Sequence, residues 1–124
     1  MPAKVVDASV LAAVAFGEPR MDEAAALLLG AELYAPDLLP YEMASIALKK
    51  SRLYPARAPQ IASALETVMK IDISLVSVAA RDLLALATET KLTVYDAAYF
   101  HLAQSLNCPL ITFDERLAKM TLLS

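Results

Sequence analysis

Residues 91–117 read KLTVYDAAYFHLAQSLNCPLITFDERL, and this stretch decides how the rest of the chain is arranged. Apolar residues at Tyr99, Leu102, Ala103 and Leu106 keep a 3.6-residue rhythm, which predicts a helix beginning near Tyr95. Asn107-Cys108-Pro109 stops it, Leu110–Thr112 follows as a short strand, and the chain turns at Asp114. Asp96 falls on the apolar stripe, about 60° from Tyr99, so it leans inward from the first turn. An inward carboxylate is costly unless something pairs with it. The single histidine, His101, faces away and reads as ordinary surface. Ligands of open α/β sheets gather beyond the carboxyl ends of strands, which makes Asp114 a candidate site residue.

Working outward to the N-terminus, Ala3–Val6 reads as a short buried strand ending at Asp7, and Ala8–Phe16 as an almost wholly apolar, hence central, helix. Gly17-Glu18-Pro19 ends it. A second helix runs over Met21–Leu29 with acids in its first turn, as the helix dipole favours. Leu33-Tyr34-Ala35 is the next strand, and Pro36-Asp37 is expected to stop it and cap a third helix over Leu38–Leu53. That helix has its apolar stripe at Leu39, Met43, Ile46 and Ala47, with Glu42 at the edge of the buried arc. Its far end carries Lys49, Lys50 and Arg52, the densest basic cluster in the sequence.

Beyond a linker bracketed by Pro55 and Pro59, Ile61, Leu65, Val68 and Met69 mark a fourth helix. Ile71-Asp72-Ile73 alternates like a brief strand, Val76–Glu89 reads as a fifth helix, and Thr121–Leu123 as a last edge strand. Short strands alternating with helices imply an α/β fold with a mostly parallel sheet and helices on both faces. At 124 residues, the chain is expected to be one domain, 1–124, in the form of an α/β/α sandwich.

The hydrophobic fraction, 58%, exceeds that of ordinary soluble domains. No run approaches the roughly 18 apolar residues of a spanning helix, so the surplus reads as interface, with an obligate partner or in a homodimer, and a cytoplasmic protein is expected. One cysteine and one histidine exclude an intramolecular disulfide and a zinc site. The net charge of −3 disfavours a broad basic face for nucleic acid. Any such partner would be held by cations or by a local basic patch.

Four acids fall where solvation does not explain them: Asp7 at the end of the first strand, Glu42 on the third helix, Asp96, and Asp114. If the two acidic strand ends lie side by side, all four can meet at one sheet edge. Two such charges about 4 Å apart repel by roughly 4 kcal/mol at an effective dielectric near 20, so the group needs a counter-charge. With only oxygen ligands available, a hard cation, Mg²⁺ or Mn²⁺, is the natural candidate. The matching chemistry is metal-assisted phosphodiester hydrolysis, with Lys49, Lys50, Arg52 and Arg116 following the phosphate backbone of the substrate.

The opening VVDASVL, the inner Glu42 in LLPYEMASIALKK, the segment TVYDAAYFHLA and the closing LITFDERL together resemble the PIN-domain ribonucleases, specifically the VapC-type toxins of toxin–antitoxin pairs. The match covers essentially the whole chain, in order. It implies that Asp7, Glu42, Asp96 and Asp114 form a metal-binding acidic site, with Ser9 and Thr112 as neighbouring hydroxyls that orient carboxylates or water. It also implies cleavage of single-stranded RNA, homodimerisation and inhibition by a cognate antitoxin.

Plainer readings stand beside these. Asp7 and Asp114 could cap helices, Asp96 sits where a helix dipole welcomes an acid, and Glu42 could reach out to water. Asp37 is expected to be a cap, Cys108 a small buried apolar residue, and each tyrosine a packing residue. A phosphoacceptor signalling domain would need paired acids after its first strand and a lysine after its last, where this chain has Asp7-Ala8-Ser9 and Thr112-Phe113-Asp114. A non-catalytic RNA- or protein-interaction module on the same scaffold remains open.

Overall fold

The computed structural model describes residues 1–123. Its sheet has four parallel strands in the order β3-β2-β1-β4: β1 Ala3–Val6, β2 Glu32–Pro36, β3 Ile73–Val76 and β4 Leu110–Ile111. Val5 and Val6 in β1 are both 0% exposed. Consecutive strand residues point to opposite faces, so both faces of the sheet are covered, which is the condition under which a parallel sheet persists. Val5 pairs with Tyr34 on one side and Leu110 on the other, while Val6 pairs with Ile111.

Seven helices surround the sheet among the described residues: α1 Ala8–Phe16, α2 Met21–Leu28, α3 Leu39–Leu53, α4 Ala58–Val68, α5 Ala80–Thr90, α6 Val94–Leu106 and α7 Glu115–Leu123. They fall into two packed groups. In one, α1 touches α2, α3 and α4; in the other, α6 packs on α5, α7 and the strands β1 and β2. Val10, Leu11, Ala12 and Ala13 of α1 are buried almost completely, as a helix apolar on every side must be. Gly17 ends α1 in the left-handed region at φ 62°, and Asn107 ends α6 there at φ 52°. Those are the residue types that tolerate it best. No described helix is long and apolar enough to cross a membrane.

The structure corrects six local expectations. β3 covers Ile73–Val76 rather than Ile71–Ile73, and α5 starts at Ala80 rather than Val76, because Val76 pairs with Pro36 and its carbonyl accepts the Asp37 amide at 3.0 Å. Asp37, tied to β3 by that amide, lies one residue before the cap position of α3. Leu38 takes the cap position and no side chain bonds there. Residues 121–123 belong to α7 and form no edge strand; Asp114 nucleates that helix by accepting the Leu117 amide. Leu106 lies in the last turn of α6 and is exposed, so the buried side of that helix runs instead through Ala97, Ala98, Tyr99, Phe100, Leu102 and Ala103. Cys108 is only half-buried, against the core.

Candidate active site

The adjacency of β1 and β4 brings two acidic strand ends together. Asp7 leaves β1 with its amide donating to the Ile111 carbonyl at 3.1 Å, and Asp114 lies three residues beyond Ile111. Asp7 is the one buried charged residue of the described chain, at 6% exposure. Burial on that scale requires donors, and they are present. Its Oδ1 accepts from Ser9 Oγ at 2.6 Å and from the Val10 amide at 3.2 Å, and its Oδ2 accepts from Thr112 Oγ1 at 2.5 Å. The helix-cap role and the site position therefore coincide in one side chain.

Each of those hydroxyls also accepts a hydrogen bond. Ser9 Oγ receives the Phe113 amide and Thr112 Oγ1 the Asp114 amide, both at 3.0 Å. Asp114 Oδ1 receives the Leu117 amide at 2.9 Å and so caps α7. Two short side chains thus tie the start of α1 to the turn after β4, fixing Asp7 and the backbone of Asp114 in one frame.

The second wall comes from α3 and α6. Thr93 caps α6 by accepting the Asp96 amide at 3.1 Å, so Asp96 lies in the first turn, where the helix dipole favours a negative charge. Glu42, in the first turn of α3, accepts from the Tyr99 hydroxyl at 2.7 Å. Tyr99 is 2% exposed; it is a core residue, and it also reaches the site. Reading the tyrosines as packing alone misses this, although Tyr99 stands one turn beyond Asp96 on the same stripe. The Thr93-Val94-Tyr95-Asp96 pattern, close to a capping box, is the available signal for the true helix start.

The electrostatics show how closely these groups gather. Burial raises the Asp7 carboxyl above its usual range, opposed by the Ser9 and Thr112 hydroxyls and the amides. Burial also raises Glu42, helped by the charges of Asp96 and Asp7 and opposed by Tyr99. Asp96 is raised first by burial and then by Asp114, against the pull of Thr93 and Arg116. Burial and the neighbouring Glu42 push the Tyr99 phenol far above its ordinary value, so it stays a proton donor. Asp7, Glu42, Asp96 and Asp114 are therefore linked by mutual repulsion. Among the described residues, no three acidic, histidine or cysteine side chains stand close enough to enclose one ion. The four form a series of coupled neighbours rather than a closed cage.

The basic residues divide. Lys50 pairs with Glu18 at 2.6 Å and lies over the Phe16 ring, whereas Lys49 and Arg52 are exposed on α3. Arg116 donates to the Lys91 carbonyl at 2.6 Å and lies near enough to Asp96 to favour its charged form. His101 stands apart, 3.8 Å from Asp82.

Three comparisons place the chain among known proteins. The PIN domain family pattern matches residues 4–122. Ribonuclease VapC3 of Pyrobaculum aerophilum is 34% identical over 120 residues, covering 93% of this chain and 92% of that protein. The crystal structure of PAE2754 from Pyrobaculum aerophilum superposes with a TM-score of 0.75 at 25% identity, covering 98% of this chain and 95% of the other. A parallel sheet in which the neighbouring strands β1 and β4 are each followed by an acid, Asp7 and Asp114, together with a family match over nearly its whole length, makes this chain a member of the PIN-domain family.

Proposed function

We propose that this chain is a divalent-metal-dependent endoribonuclease that cleaves single-stranded RNA, and that it is the toxin of a VapBC-type toxin–antitoxin pair. The observation that carries the reading is the buried Asp7 carboxylate held by Ser9 and Thr112 beside Glu42, Asp96 and Asp114. A purely structural cap does not require Glu42 and Asp96 nearby, each with its proton affinity raised in part by neighbouring acids. Likeness to Ribonuclease VapC3 supports RNA as the substrate and an antitoxin as the partner.

The donor set suits Mg²⁺ or Mn²⁺: four carboxylates, two hydroxyls, and no thiolate or imidazole. Asp7, Glu42, Asp96 and Asp114 would hold the ion, with side-chain rotation closing them around it. When bound, such an ion lowers the pKa of water and stabilises the charge that develops on a phosphodiester. The protein's own part is preorganisation. Ser9 and Thr112 aim Asp7, the dipole of α6 supports Asp96, and Arg116 offsets negative charge at the rim. Lys49, Arg52 and Arg116 would follow an RNA backbone, whereas Lys50 is held by Glu18. Exposed Tyr41, Leu48 and Leu53 on α3 support a homodimer, which sedimentation checks.

The test is cleavage of matched single-stranded and duplex RNAs with Mg²⁺, with Mn²⁺ and with a chelator. The reading predicts cleavage of the single strand that disappears on chelation. Undiminished cleavage under chelation would overturn metal dependence, and no cleavage of any RNA would favour the interaction module.

A further inference from the structure

We propose that Tyr99 is a positioning residue for Glu42, its hydroxyl holding that carboxylate beside Asp96 so that both can engage one divalent ion; this rests on the metal reading above. Glu42 has three side-chain torsions to fix and is half-buried, with water within reach on its open side. Asp96 and Asp7 repel it. Left alone, the carboxylate would swing outward, where hydration is better and the repulsion weaker. The bond from Tyr99 Oη to Glu42 Oε1, at 2.7 Å, opposes that movement.

Three features fit Tyr99 to the task. Its ring is 2% exposed within the main core cluster, so packing fixes the hydroxyl and it cannot follow a departing carboxylate. It stands three residues beyond Asp96 on α6, and residues at that spacing share a helix side. One helix therefore supplies a site acid and the donor that holds an acid from α3. The partners are also 57 residues apart in sequence, so this bond joins α3 to α6 within one wall of the site.

A buried tyrosine needs some partner for its hydroxyl, so the test must separate positioning from ordinary satisfaction. It is a double-mutant cycle read by calorimetric titration of the full chain with Mn²⁺ alone, using the parent, Tyr99→Phe, Glu42→Gln and the double variant. Tyr99→Phe keeps the ring and removes the donor, and circular dichroism melts check its fold. The expected result is about tenfold or greater loss of Mn²⁺ affinity in the parent background, with no further loss in the Glu42→Gln background. Affinity unchanged by Tyr99→Phe, or reduced equally in both backgrounds, would overturn the proposal.

If Tyr99→Phe does not fold, Glu42→Asp decides. It keeps the charge and the phenol while falling short of the hydroxyl by one methylene. Parent-like Mn²⁺ affinity in that variant would overturn the proposal, and a loss of about tenfold or more is expected. A parent that binds no Mn²⁺ would defeat the metal reading and this inference together, whereas a parent that binds and a Tyr99→Phe variant that binds equally well would defeat this inference alone.

Discussion

The two walls of the acidic site are built in different ways. On the β1–β4 side, Asp7 is almost fully buried and both of its oxygens are engaged, by two hydroxyls and an amide that are themselves fixed in the frame. On the α3–α6 side, Glu42 and Asp96 are half-buried at helix starts, and Glu42 depends on one hydroxyl delivered from another helix. The first wall is set when the sheet forms. The second is adjustable, as a site must be if its acids repel one another until a counter-ion draws them together.

Removing a charge from either wall should have the largest effect. Asp7→Asn and Asp96→Asn are each expected to reduce RNA cleavage by on the order of 10²–10³ or more, measured as single-turnover rates at saturating Mn²⁺. Equal loss from both walls would show that they act as one site. Loss from Asp7→Asn alone would break the comparison, leaving the α6 wall a bystander.

Thr112→Val should sharpen the contrast in stability. It keeps the side chain's shape but removes a donor to buried Asp7 and an acceptor of the Asp114 amide. The expected loss is about 1–3 kcal/mol in urea unfolding. Thr93→Val, at the exposed start of α6, should cost about 1 kcal/mol or less, as a helix cap does. Similar losses at both positions would contradict the rigid-wall and adjustable-wall description.

The pH dependence of the metal-free protein has a definite sign. Asp7, Glu42 and Asp96 all bind protons more tightly when folded than their ordinary values of 3.8, 4.5 and 3.8 imply. Their contribution to stability is fully present below those values and is lost as pH rises through the raised ones. Metal-free protein should therefore become less stable on going from mildly acidic to neutral pH. Asp96→Asn should flatten that slope, as melting curves across the range would show. A smaller effect is expected at the rim. Lys49→Ala and Arg52→Ala should each flatten the salt dependence of RNA binding by about 0.7 for every phosphate no longer neutralised, and Lys50→Ala, whose charge is matched by Glu18, by less.

The rigid wall is also the part most legible in the sequence. A four-residue apolar strand running into Asp7 and an all-apolar helix leaves few arrangements, and β1 and α1 appear at the expected residues. Strands can be read where burial is two-sided. They are misplaced at the margin, where β3 pairs only with β2 and exposes Ser74 and Leu75, so its pattern gives no alternation to read. The tail misleads because a run as short as Thr121-Leu122-Leu123 does not distinguish strand from helix, and the Asp114 cap that decides it acts from seven residues away.

In the candidate site, Asp7, Glu42, Asp96 and Asp114 can be named from position, and the structure gives Ser9 and Thr112 a physical task as donors to Asp7. The Tyr99–Glu42 bond cannot be read from sequence, because it joins helices across 57 residues and its direction depends on how α6 rotates over the sheet. The apparent basic cluster on α3 is likewise divided by Glu18, a residue distant in sequence from Lys50.

The claim that four carboxylates make one metal site is tested most directly by titrating Mn²⁺ into protein labelled with ¹³C at the Asp and Glu carboxyls. The account predicts that paramagnetic broadening strikes the resonances of Asp7, Glu42, Asp96 and Asp114 together, at the lowest ion concentrations, while those of Asp22, Asp72 and Glu89 persist. Broadening spread over the surface acids, or confined to one of the four, would contradict it.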